Sequence, residues 1–118
     1  KTLFLYYNVT KKIKTMSRKI TQESVEAFMS ATPFTKSNMS VEVKPNVTIL
    51  SLFGNEIAYR YNDPQRTLSI TNCGWKSNTT KERLNSLPNV NICQRAGVWF
   101  LNGEQWSGEL TDIEPMVN

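Results

Sequence analysis

Residues 74–108 read GWKSNTTKERLNSLPNVNICQRAGVWFLNGEQWSG, and this stretch decides the fold. It holds all three tryptophans, Trp75, Trp99 and Trp106. Indole rings bury large areas and dominate the packing of any core they enter. Thr79 to Leu84 carries the clearest helix signal, with Thr79 and Glu82 at capping-box spacing and Asn78 as an alternative cap. Leu84 and Leu87 then face inward, while Lys81 and Arg83 are expected to point outward. Pro88-Asn89 ends that helix. Val90 and Ile92 begin a strand, Ala96-Gly97 is a tight turn, and Val98-Trp99-Phe100-Leu101 returns. Asn102-Gly103 turns again and folds Trp106 back on the hairpin. The whole stretch is predicted to be a helix plus a hairpin, laid on sheet strands that arrive just before it. Trp75 is expected to close the core over that sheet, with a partner-binding loop as the other reading for Trp75 and Lys76.

Those strands are legible upstream. Val41 and Val43 alternate with polar neighbours, and Val47–Leu52, Glu56–Tyr61 and Thr67–Thr71 follow. Pro45-Asn46, Gly54-Asn55 and Asn62-Asp63-Pro64-Gln65 supply the turns. Connections this short between consecutive strands imply an antiparallel meander. Residues 34–40 read as a polar loop. Before them, Thr21 is placed to cap a helix that carries Val25, Phe28 and Met29 inward and stops at Thr32-Pro33. Ile13, Met16 and Ile20 also fall at helical spacing, so residues 11–31 read as one bent helix or two. Residues 2–9 are a candidate first strand. The class is α+β, a mainly antiparallel sheet with one or two N-terminal helices and a second helix before a C-terminal hairpin. Residues 1–110 are expected to form a single domain and residues 111–118 a frayed tail.

The composition limits the chemistry. Hydrophobic residues are 39% and charged residues 20% of 118, a globular balance. No apolar run approaches the length that spans a membrane. There is no histidine, so the commonest general base is missing and no Ser/His/Asp or Cys/His system can be built. The glutamates are scattered through polar contexts, and the glycines are isolated and fit no phosphate-cradling pattern. Cys73 and Cys93 form no CxxC and read as buried thiols of a reducing compartment, with no metal site. Four Asn-x-Ser/Thr triplets, at Asn8, Asn38, Asn46 and Asn78, are taken as products of an Asn-, Ser- and Thr-rich composition. No enzyme activity, cofactor or small-molecule substrate is expected.

The basic residues are more informative. Net charge is +4, and Lys11, Lys12, Lys14, Arg18 and Lys19 crowd one short segment. Lys76, Lys81 and Arg83 lie near Trp75. Ammonium and guanidinium groups contact phosphates, and exposed aromatic rings stack on unpaired bases.

Several linked blocks carry a resemblance: Leu52–Ala58, Leu68–Trp75, Asn78–Asn85 and Gly97–Trp106. Across residues 47–108 the chain resembles a group of small tailed-bacteriophage proteins with no assigned activity. The resemblance implies synthesis in the host bacterial cytoplasm during infection and transfers no functional residue. The favoured expectation is a non-enzymatic phage accessory protein that binds nucleic acid through Lys11, Lys12, Lys14, Arg18, Lys19, Lys81 and Arg83. The alternative is an inhibitor of a host defence or toxin protein, docking through Trp75 and Lys76.

Overall fold

A computed structural model describes residues 18–114. Helix α1 (Lys19–Met29) leads into β1 (Phe34–Lys36), β2 (Met39–Val43), β3 (Val47–Leu52), β4 (Asn55–Tyr61) and β5 (Leu68–Ile70). Helix α2 (Asn78–Asn85) follows, then β6 (Ile92–Arg95), β7 (Val98–Leu101), β8 (Glu104–Gln105) and β9 (Thr111–Ile113). Strands β1 to β5 form the antiparallel meander, and β9 returns to pair with β5 and completes a six-stranded sheet. Strands β6, β7 and β8 make a separate three-stranded sheet. The α+β class, with a helix before the C-terminal hairpin, is as expected.

Side chains alternate across a sheet, so residues directly opposite one another share a face. Leu50, Ala58 and Ile70 lie opposite one another on adjacent strands and have no exposed surface. They form the centre of a core that also takes Val25 and Phe28 from α1 and Leu84 from α2. Trp99 and Trp106 come from the small sheet and the segment after it, with ring centroids 6.3 Å apart. Trp106 does fold back on the hairpin, and its Nε1–H donates to Thr111 Oγ1 at 2.8 Å.

Several local expectations change. The candidate strand at 2–9 and residues 11–17 lie outside the described residues. Residues 34–40 are not a loop: Phe34, Thr35 and Lys36 pair with Val41, Ser40 and Met39. Phe34 packs on the core and gives this polar segment an apolar anchor. Residues 111–113, expected in the tail, form β9, held by Ile113 in the core and by pairing with Leu68–Ile70. The cap of α2 is Ser77, whose hydroxyl accepts from the Thr80 N–H at 3.1 Å. Thr21 is not a cap; it is buried inside α1, which starts at Lys19.

The largest departure is Arg83. Thr80, Arg83, Leu84 and Leu87 are spaced i, i+3, i+4, i+7 and share the buried side of α2 and its C-terminal turn. Arg83 is only 2% exposed. Its guanidinium donates to Thr21 Oγ1 of α1 at 2.8 Å, to Asn38 Oδ1 at 3.2 Å and to the Glu82 carboxylate, and its Nε lies 3.3 Å from the Met39 sulfur. Glu82 in turn accepts from the Thr21 hydroxyl at 2.8 Å and from the Arg18 N–H at 3.4 Å. The N-cap residue Arg18 makes no side-chain cap, so a carboxylate from α2 serves the dipole-positive end of α1. One charged pair thus ties both helices to the start of β2.

Removing one partner of a buried, hydrogen-bonded ion pair destabilises a protein by about 3–5 kcal/mol. Arg83→Ala should lower the unfolding free energy in urea by somewhat less, about 2–3 kcal/mol, because the Glu82 left behind keeps access to water, and Trp75→Ala by less than about 0.5 kcal/mol. Equal losses would mean that Arg83 is a surface residue.

Candidate functional site

Of the expected basic set, the described residues include Arg18, Lys19, Lys81 and Arg83. Lys11, Lys12 and Lys14 lie outside the described residues. Arg18 and Lys19 are exposed at the start of α1. Lys81 is half-buried, with Nζ donating to Gln94 Oε1 at 2.6 Å and lying 5.8 Å from the Trp99 ring centroid. Arg83, expected to point outward, is inside the core and can reach no phosphate. The charge is also unevenly divided along the chain. Lys1, Lys11, Lys12 and Lys14 all precede residue 18, and every Asp and Glu follows it. Residues 18–114 therefore carry ten cations and ten anions, and the whole +4 belongs to the first 17 residues.

A different surface forms at one end of the main sheet. The β1–β2 turn at Ser37-Asn38, the β3–β4 turn at Phe53-Gly54 and the segment after β5 all emerge there, because alternate antiparallel connections share an end. The segment 71–75 is fastened closely. Asn72 is 1% exposed; its N–H donates to the Gly108 carbonyl at 3.1 Å, and its Oδ1 accepts from Gly74 N–H at 2.8 Å. Its carbonyl accepts from Trp75 N–H at 2.8 Å. Gly108 has φ +95°, and a Cβ there would meet the Asn72 amide at 2.2–2.4 Å, so only glycine fits. The Cys73 thiol donates to the Glu56 carbonyl at 2.9 Å and joins the segment to β4.

Two large side chains project from this end. Trp75 is 60% exposed, so it does not close the core: Trp99 and Trp106 already do. Lys76 beside it is exposed. Phe53 is 72% exposed and has φ 52°, a left-handed conformation that disfavours a bulky residue. With Gly54 at φ 80° it makes a two-residue hairpin turn in which Asn-Gly would be the easy choice. Both cysteines are exposed rather than buried. Partial desolvation of the Cys73 sulfur, with the Glu56 carboxylate adding to it, pushes the thiol pKa up. That favours the protonated form, the reverse of an activated nucleophile.

The sheet face turned away from the core is polar and aromatic. Glu42, Ile49, Tyr59, Ser69 and Asp112 are successive partners across five strands and form one rung of it. Ser40, Ser51 and Glu56 form the next. A bulge at Ile57 separates the two rungs on β4. It sends Ile57 and Ala58 both into the core and leaves Glu56 on the side of Tyr59. Tyr59 Oη donates to Glu56 Oε1 at 2.8 Å, and the Tyr59 and Tyr61 rings stack at 6.3 Å and 20°. Desolvation first, then the bond to Glu56 and the Glu56 charge, push the Tyr59 pKa up to about 12.

A raised acid pKa in the folded state means stability that is complete below the unfolded value, about 10, and lost as pH climbs to the folded one. The phenolate absorbance assigned to Tyr59 by difference with Tyr59→Phe should appear near pH 12. Unfolding midpoints should fall from about pH 10 upward, less steeply in Tyr59→Phe. Ionisation of Tyr59 near pH 10 would contradict the Glu56 contact.

Among the described residues no group of three or more Cys, Asp or Glu could hold a metal ion, and no helix is long and apolar enough to cross a membrane. What the fold presents is a packed α+β body with an aromatic end and an acidic, tyrosine-bearing sheet face. The family model described as Kyanoviridae Gp96 protein matches residues 17–114, and the chain belongs to this family of phage proteins. No curated protein matches the chain. No solved structure matches it.

Proposed function

We propose that this phage protein is a non-enzymatic accessory factor that acts by docking on a host protein, with Phe53, Trp75 and Lys76 as the contact residues. The observation that carries this reading is Phe53. Backbone strain persists where the surrounding structure and a function require it. Here a phenylalanine holds a left-handed turn position and exposes its ring to solvent. Trp75 stands at the same end of the sheet, on a segment fixed by Asn72 and Gly108. Tryptophan and other large aromatic side chains on a preorganised frame are common anchors of protein interfaces. Action without turnover is supported by the absence of histidine from the sequence and by the protonated state favoured for Cys73. The host cytoplasm is where such a partner is met.

The second reading is nucleic-acid binding through Lys11, Lys12, Lys14, Arg18 and Lys19. Its support is the concentration of the entire charge excess in the first 17 residues. Arg83 drops out of that set, and Lys81 is already engaged.

The two are separated by affinity capture from nuclease-treated host lysate, using the full chain, Phe53→Asn with Trp75→Ala, and Lys11, Lys12 and Lys14 changed to Gln. Protein docking predicts one stoichiometric partner, lost with the aromatic pair and kept with the lysine changes. Phe53→Asn should at the same time raise stability by about 1 kcal/mol, because asparagine tolerates the left-handed position. Capture that vanishes with nuclease, together with gel shifts that fall steeply between low and moderate salt, would overturn docking in favour of nucleic acid.

A further inference from the structure

The polar face of the six-stranded sheet is a second surface, and neither reading above uses it. Its two rungs hold Glu42, Glu56 and Asp112, all exposed, and no lysine or arginine. The nearest cations in sequence, Lys44 and Arg66, lie in the turns beyond the rungs. Arg60 is not among them, because it points to the core side and donates to the Met29 carbonyl at 2.5 Å. Tyr59 is half-buried within this acidic field, and its stacked partner Tyr61 lies one rung on, level with Val47 and Lys44. Ile49 is buried beside it, yet stands outside the core cluster. Both helices place their core residues on the opposite face.

Two features here call for a cation. Tyrosine ring faces attract ammonium and, more often, guanidinium groups. The carboxylates flank the rings and keep acceptor capacity: Asp112 takes one bond from the Ser69 hydroxyl, and Glu56 Oε1 takes one from Tyr59. Glu42 on β2 and Asp112 on the edge strand β9 stand to either side of the rings on β4, which suits an extended chain lying across the strands better than a single ion.

We propose that this face docks an arginine- or lysine-rich segment of a protein partner, with a cationic head group seated on the Tyr59–Tyr61 pair and others paired with Glu42, Glu56 and Asp112. The surface is distinct from the Phe53–Trp75 end, and the proposal holds or fails independently of that reading.

The test uses the full chain and a nine-residue arginine peptide, with a nine-residue Gly/Ser peptide as control, followed by amide NMR shifts and calorimetry at low salt. The expected result is shifts centred on residues 40–42, 56–61 and 111–112 for the arginine peptide and none for the control. Tyr59→Ser leaves the net charge unchanged and should weaken binding about fivefold or more. Glu56→Gln should weaken it as well, whereas Glu104→Gln, on the small sheet, should not. Unchanged thermal unfolding of Tyr59→Ser would show that the loss is local. No binding, or equal losses in Glu56→Gln and Glu104→Gln, would reduce the face to unspecific charge and overturn the proposal. Tighter peptide binding after Lys11, Lys12 and Lys14 are changed to Gln would assign the face to the chain's own basic segment and also overturn it.

Discussion

The guanidinium of Arg83 is the constraint from which the rest of the arrangement follows. It is a full positive charge with almost no access to water, and a bare ion in that position would be prohibitively unfavourable. Its acceptors come from three elements: Glu82 of α2, Thr21 of α1 and Asn38 in the turn before β2. Such a network fixes register more than it adds net stability. With the helices held to β2, α1 packs on one face of the main sheet and α2 adds Leu84 to the same core, while the other face is left to polar and aromatic side chains.

The same economy of short connections produces the two surfaces. Two-residue hairpin turns bring Ser37-Asn38 and Phe53-Gly54 to one end of the sheet. The return of the chain through Gly108 to β9 fixes Asn72, and through it Trp75, at that end. The bulge in β4 does comparable work on the polar face, since in a regular strand Glu56 would share a face with Ala58 rather than with Tyr59. Each device lies in the backbone, and each decides where a side chain can be used.

Much of the fold was legible because it rests on local signals. The meander over residues 41–71, the inward Leu84 and Leu87 and the Ala96-Gly97 and Asn102-Gly103 turns follow from alternation, helical spacing and glycine chemistry. The candidate site was much less legible. Arg83 reads as a solvent cation until its acceptors on α1 and in the β1–β2 turn are known, and those are 62 and 45 residues away in sequence. Trp75 looked like core because nothing local says that Trp99 and Trp106 already fill it. The Phe53 signal was available, as a bulky residue directly before a turn glycine, but it has meaning only once the turn type is known. Residues 34–36 join the sheet through non-local pairing that a polar, turn-rich sequence does not announce.

By charge the molecule divides into a balanced body, for which we propose contact through aromatic side chains, and an N-terminal segment that carries all the excess charge. Amide hydrogen exchange of the full chain, free and bound to the partner it captures, tests that division most directly. Docking by the body predicts new protection at residues 53–56 and 72–77. Protection confined to residues 1–19, with the sheet end exchanging as in the free protein, would contradict it.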